Sequence, residues 1–170
     1  MNPSLTTAKR TGFYPASARD YLEPLQLLKG YVDHLIFCDL NVGPNSSFAI
    51  GSIRANIARE ALPEASFLLG DALSALTFIQ PVDVFFVRND TASTGEGGSN
   101  MALLRAERIA SVLNVIKPGG LLVVDRPNGF LWLTRMLSGN SPNYPVGNRN
   151  LYLSPAQPWR SNDLYSITVA

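Results

Sequence analysis

Four places in this chain combine residue types that could do chemistry. The first is Tyr14-Pro-Ala-Ser-Ala-Arg-Asp20, a run of small residues closed by an arginine and an aspartate. It follows a short apolar segment, and Asp20 is placed to open a helix, so it reads as a strand-to-helix loop of the kind that cradles a cofactor. Such loops are normally built from glycine, which enters left-handed conformations freely. Each alanine or serine forced there costs roughly 1 kcal/mol or more. Arg19 offers paired donors to a carboxylate or phosphate at the helix start, although pairing with Asp20, Glu23 or Asp39, or exposure to solvent, explains it as well. Asp39 and Asp71 each close an apolar segment, and Asn89-Asp90 follows a third. Asp90 could act as general base for a hydroxyl or carboxyl group with Asn89 orienting it, while Asn-Asp-Thr is equally ordinary turn chemistry.

The elements that must position these residues alternate with a regular beat. Gly12 to Pro15, His34 to Asp39, Ala65 to Leu69, Val82 to Val87 and Gly120 to Asp125 read as five buried strands. The runs inside 33–40 and 120–125 are continuously apolar, as in strands covered on both faces. Ile50, Ile53, Ile57 and Ala61 share one helical face, and Pro63 ends that helix. Ala102, Ala106, Ile109, Leu113 and Ile116 predict a second helix, begun at Ser99 or Asn100 and stopped by Pro118-Gly119-Gly120. For the first helix, Asp20 with Glu23 resembles a capping box, but Pro24 argues for a start at Glu23; Leu22, Leu25 and Leu28 face the sheet either way. Phe130 to Leu137 suggests a short helix, and 150–153 and 164–169 suggest a hairpin joined through the turn-rich 154–162. Strands alternating with helices predict an α/β fold with a largely parallel sheet.

Composition bounds the rest. At 170 residues the chain is the size of a single domain, 1–170, with 1–10 as a loose N-terminal segment. A net charge of +1 shows no strong positive field, so nucleic acid is not an expected partner. One cysteine, Cys38, forbids an internal disulfide and points to a cytoplasmic setting. With one histidine, His34, it also makes zinc improbable, and no metal is expected. No apolar run approaches a membrane span, and the polar start lacks the apolar stretch of a signal peptide.

The weaker candidates read as structure first. His34 precedes a strand far from any partner, and Cys38 packs as a small hydrophobe. Asp125, Arg126 and Asn128 could line a substrate side, but a turn at 127–129 explains them equally. Trp132, Tyr152 and Trp159 are candidate substrate platforms if exposed, with core packing as the default for aromatics. The glycine-serine run 91–99 is either a lid or a connection without a role.

Five strand-helix units followed by an antiparallel hairpin, with Val115-Ile-Lys-Pro-Gly-Gly-Leu-Leu-Val-Val-Asp125 leading into the fifth strand, resemble the class I S-adenosylmethionine-dependent methyltransferases from about Thr11 to Ala170. The resemblance implies a Rossmann-like fold, a mostly parallel twisted sheet with helices on both faces and a C-terminal antiparallel hairpin. It implies S-adenosylmethionine (SAM) as cofactor, held along Tyr14, Ala16, Ser17 and Arg19, at Asp39 and Leu40, and at Asp71 and Ala72. Asp39 would take the ribose hydroxyls about 20 residues beyond the loop, and Asp71 the adenine amine. Asn89 and Asp90 would face the transferred methyl group. The Asn/Asp-Pro-Pro-Tyr signature of enzymes acting on nucleobase amines is absent, which disfavours DNA. The glycine-free first loop departs from the family pattern.

Two functions follow. One is a methyltransferase acting on a small molecule. The other is a catalytically inactive domain of the same fold, serving as a binding, scaffold or self-associating module. An NAD-binding protein is disfavoured because no Gly-x-Gly-x-x-Gly follows the first strand.

Overall fold

The computed structural model describes residues 8–17, 20–40, 47–88, 103–125, 136, 143–153 and 164–170, with 47–50 and 125 described by backbone alone. Its strands are β1 (Thr11–Pro15), β2 (His34–Asp39), β3 (Glu64–Leu69), β4 (Val82–Val87), β5 (Ile116–Asp125), β6 (Asn143–Val146), β7 (Arg149–Leu153) and β8 (Leu164–Val169). They form one sheet in the order β3-β2-β1-β4-β5-β8-β7-β6. The first five pair in parallel, and β8, β7 and β6 extend the sheet antiparallel.

Successive strand residues point to opposite faces, and the core divides accordingly. Phe13, Cys38, Phe85, Leu122 and Val124 cluster with Ala75 of α3 (Ala72–Ala75) and with Ile109, Val112 and Leu113 of α4 (Ile109–Asn114). Tyr14, Leu35, Phe37, Val84, Phe86 and Val123 cluster with Leu25 of α1 (Leu22–Leu27) and Ile53 of α2 (Ser47–Glu60). At the strand starts, Asp83 accepts the Thr11 N–H at 2.7 Å and the Lys117 ammonium at 2.8 Å, aligning β1, β4 and β5.

Pro24 costs α1 nothing. It is the third helical residue, where an N–H would have no acceptor inside the helix. The capping box does not form: Tyr21 is the N-cap, and it makes no side-chain cap bond.

The second predicted helix needs correction. Residues 103–108 are turns, α4 covers only 109–114, and Ile116 pairs with Val82 instead of ending a helix. The periodicity is satisfied by Ile109, Val112 and Leu113 alone, and a β-branched residue such as Ile116 suits a strand as well. The strand β6 was not anticipated. Pro145 within it donates no ladder bond, which an edge position tolerates.

Candidate functional site

The strand order reverses beside β1, which lies between β2 and β4, and the carboxyl ends of these strands meet at one edge. In open α/β sheets that edge is where ligands bind. Short backbone bonds fuse its loops. The Ser17 N–H donates to the Cys38 carbonyl at 3.1 Å, the Asp20 N–H to the Ser17 carbonyl at 3.0 Å, and the Gly70 N–H to the Asp39 carbonyl at 3.0 Å.

The loop after β1 makes the turn a glycine would make. Ala16 has φ +46, a left-handed conformation that an L side chain resists by about 1 kcal/mol. Among the described residues of the loop Ala16 alone carries this strain, and Ser17 after it is fully buried. The Ser17 hydroxyl has no hydrogen-bond partner among the described residues. A buried, orphaned hydroxyl on a cradle loop is a polar atom a ligand could satisfy.

Asp39 ends β2 and is 9% exposed, while Leu40 beside it is 68% exposed and Leu69, ending β3, is 62% exposed. Asp71 starts α3 as its N-cap, accepting from the Ser74 N–H at 2.8 Å and the Ser74 hydroxyl at 2.9 Å. These bonds, the backbone one first, lower its pKa. Ala72 is the first residue of that helix. The Cys38 thiol, donating to the Gly70 carbonyl at 3.5 Å, is pushed up to about 11, first by burial and then by the charges of Asp39 and Asp71.

Tyr14 is a correction. Its side chain is fully buried, with its ring edge-on to Phe86 at 5.0 Å, so it belongs to the core and not to the crevice wall. Its hydroxyl donates to Asp20 at 3.1 Å. The side chain belongs to the face covered by α1 because Phe13 next to it faces the opposite core. Arg19, Asn89 and Asp90 lie outside the described residues, as do Arg126, Asn128, Trp132, Trp159 and the run 91–99. His34 sits at the opposite, amino-terminal end of β2, its Nε2 2.7 Å from the Ser66 hydroxyl, and burial lowers its pKa. Among the described residues no group of three or more His, Cys, Asp or Glu could hold a metal.

Arg88 was missed. It directly follows β4, its side chain is 16% exposed, and its Nη1 donates to Asp20 at 2.9 Å and to Glu23 at 2.7 Å. The available signal was a cation just past a buried strand and two acids three residues apart at a helix start, both at the same sheet edge.

Neither a family model nor a curated protein sequence matches the chain. Solved structures do match its fold. One, assigned as a methyltransferase from Streptococcus mutans and solved with S-adenosylhomocysteine (SAH), is 9% identical, with a TM-score of 0.52 over 94% of this chain and 87% of that one. Another, assigned as an rRNA methylase from Clostridium thermocellum, is 10% identical, with a TM-score of 0.51 over 93% and 87%. A third, assigned as a methylase from Haemophilus influenzae, is 14% identical, with a TM-score of 0.50 over 95% and 86%. The fold is that of the Rossmann-like class I methyltransferases.

Proposed function

We propose that the chain binds SAM and transfers its methyl group to a small molecule. The observation that carries this reading is the placement of Asp39 at the end of β2 and of Asp71 just past β3, at neighbouring strand ends of one sheet edge, with Leu40 and Leu69 exposed beside them. A carboxylate next to exposed apolar side chains suits a nucleoside, whose ribose hydroxyls donate and whose base has apolar faces. Asp39 would hold the ribose, Leu40 and Leu69 the base, and Asp71 with Ala72 its polar rim. Ser17 and the turn at Ala16 would receive the other end. Because Ala16 adopts the left-handed turn, the missing glycine does not remove the cradle.

When bound, SAM supplies an electrophilic methyl on a sulfonium. The chain has to position the acceptor and take any proton it releases, and Asp90 with Asn89 is the candidate for that work. Helices on both faces of the sheet, as the resemblance implies, would leave this edge as the place of binding. A near-neutral chain suits a small acceptor more than a nucleic acid.

Calorimetric titration with SAH tests the reading. Heat of binding and a raised melting temperature are expected. Neither at millimolar ligand would reject it and leave the inactive module of the same fold.

A further inference from the structure

We propose that Arg88 is a positioning residue that holds the loop after β1 in its ligand-ready turn. The proposal rests on reading that loop as the cofactor cradle.

The connection is continuous. Arg88 Nη1 bonds Asp20 and Glu23, which flank the start of α1. The Asp20 oxygen that takes the guanidinium also accepts the Tyr14 hydroxyl from β1. The Asp20 N–H holds the Ser17 carbonyl, and the Ser17 N–H holds the end of β2. Through Asp20, the end of β4 therefore fixes both sides of the turn at Ala16. An alanine at φ +46 keeps that conformation only where its surroundings over-determine it. The charge-assisted bond to Asp20 lies in a mostly buried setting and is strong enough for this, while the one to Glu23 is more exposed. Without the guanidinium, Asp20 and Glu23 would face each other as like charges, and the start of α1 would move away from the loop. The guanidinium bonds Asp20 and Glu23 at the start of α1, so Arg88 acts through the loop.

The test compares wild type with Arg88→Lys and Arg88→Met. Amide hydrogen exchange is read at Ser17 and Asp20, with Val123 in β5 as reference, and SAH affinity is read by calorimetry. Arg88→Met is expected to speed exchange at Ser17 and Asp20 by about tenfold relative to Val123, and to weaken SAH about tenfold, the scale of one lost charge-assisted bond. Arg88→Lys, which can still donate to both acids, should restore both to within about threefold. Unchanged exchange at Ser17, an equal rise at Val123, or full SAH affinity with a loosened loop would each overturn the proposal. Should Arg88→Met fail to fold, Asp20→Asn makes the same comparison, with the same outcomes deciding. If wild type does not bind SAH, the cofactor reading fails, while exchange still decides whether Arg88 holds the loop.

Discussion

Asp39 and Leu69 face each other at the last paired position of β2 and β3. The register carries an acid and an exposed apolar side chain to the same end of the sheet, where the Asp39 carbonyl also takes the Gly70 N–H. If this pair grips a nucleoside, Asp39→Asn should raise the SAH dissociation constant about tenfold, the worth of a charged hydrogen bond over a neutral one. Leu69→Ser should weaken binding by a few-fold. Calorimetry on the two variants checks this, and unchanged affinity in both would remove the pair from the site.

The turn at Ala16 predicts a gain. Relieving φ +46 with glycine returns about 1–2 kcal/mol, while glycine's freer unfolded chain takes back about 0.5–1. Ala16→Gly should therefore stabilise by about 0.5–1 kcal/mol, seen as a higher urea midpoint at unchanged slope. Ala61, at φ +49 just past α2, serves as the control: Ala61→Gly should gain a similar amount without touching SAH affinity.

Asp71 should link acid to the site. Its pKa lies below the ordinary value of 3.8 because the Ser74 backbone N–H, then the Ser74 hydroxyl, favour the carboxylate. A depressed acid stabilises the fold above its unfolded pKa, and that share is lost as pH falls below 3.8. Asp71→Ala should cost about 1 kcal/mol at neutral pH, as for a lost N-cap. Its stability should differ less from wild type at about pH 3 than at about pH 7, which denaturant melts at the two pH values would reveal.

Cys38 should be silent chemically. With the thiol raised from 9.0 to about 11 by burial and two neighbouring carboxylates, it stays protonated in the native protein near neutrality. An alkylating reagent at about pH 8 should modify it only after denaturant is added. The sign in alkali is the reverse of that for Asp71. The unfolded thiol ionises first, so stability falls as pH rises between 9.0 and about 11, and Cys38→Ala should flatten that fall.

The order of these elements was legible because buried parallel strands advertise themselves. The apolar runs ending at Asp39 and Val87 have the bounds seen in β2 and β4. Asp39 could be placed at the end of β2, and Asp71 just past β3, for the same reason. Helical periodicity was less dependable: Leu103 and Leu104 are buried from a turn, so their side chains fill the core without a helix beneath them. The two-residue turn Gly147-Asn148 between Val146 and Arg149 was a usable signal for the β6–β7 hairpin, obscured by the proline in β6. Arg88 could not be read locally, because its partners at 20 and 23 are more than sixty residues away and meet it only once β1 and β4 pair. Nor did the sequence show which of several small residues would take a left-handed turn; among the described residues of the loop it is Ala16.

The glycines of Lys117-Pro-Gly-Gly120 do different work, and substitution should separate them. Gly119 has φ +77, and a Cβ added there would have nothing within 4 Å, so Gly119→Ala meets conformational strain alone, about 1 kcal/mol. A Cβ on Gly120 would lie 2.9 Å from both the Asp83 and Lys117 carbonyl oxygens, and neither backbone can turn aside as a side chain would. The register between β4 and β5 shifts between Val82 and Val84, so the Asp83 carbonyl sits where the ladder is irregular and crowds the strand beside it. Gly120→Ala must push β4 and β5 apart at the centre of the sheet and should cost about 2–3 kcal/mol, well above Gly119→Ala. Urea melts of the two variants measure the difference, and equal losses would mean that Gly120 serves only as a turn.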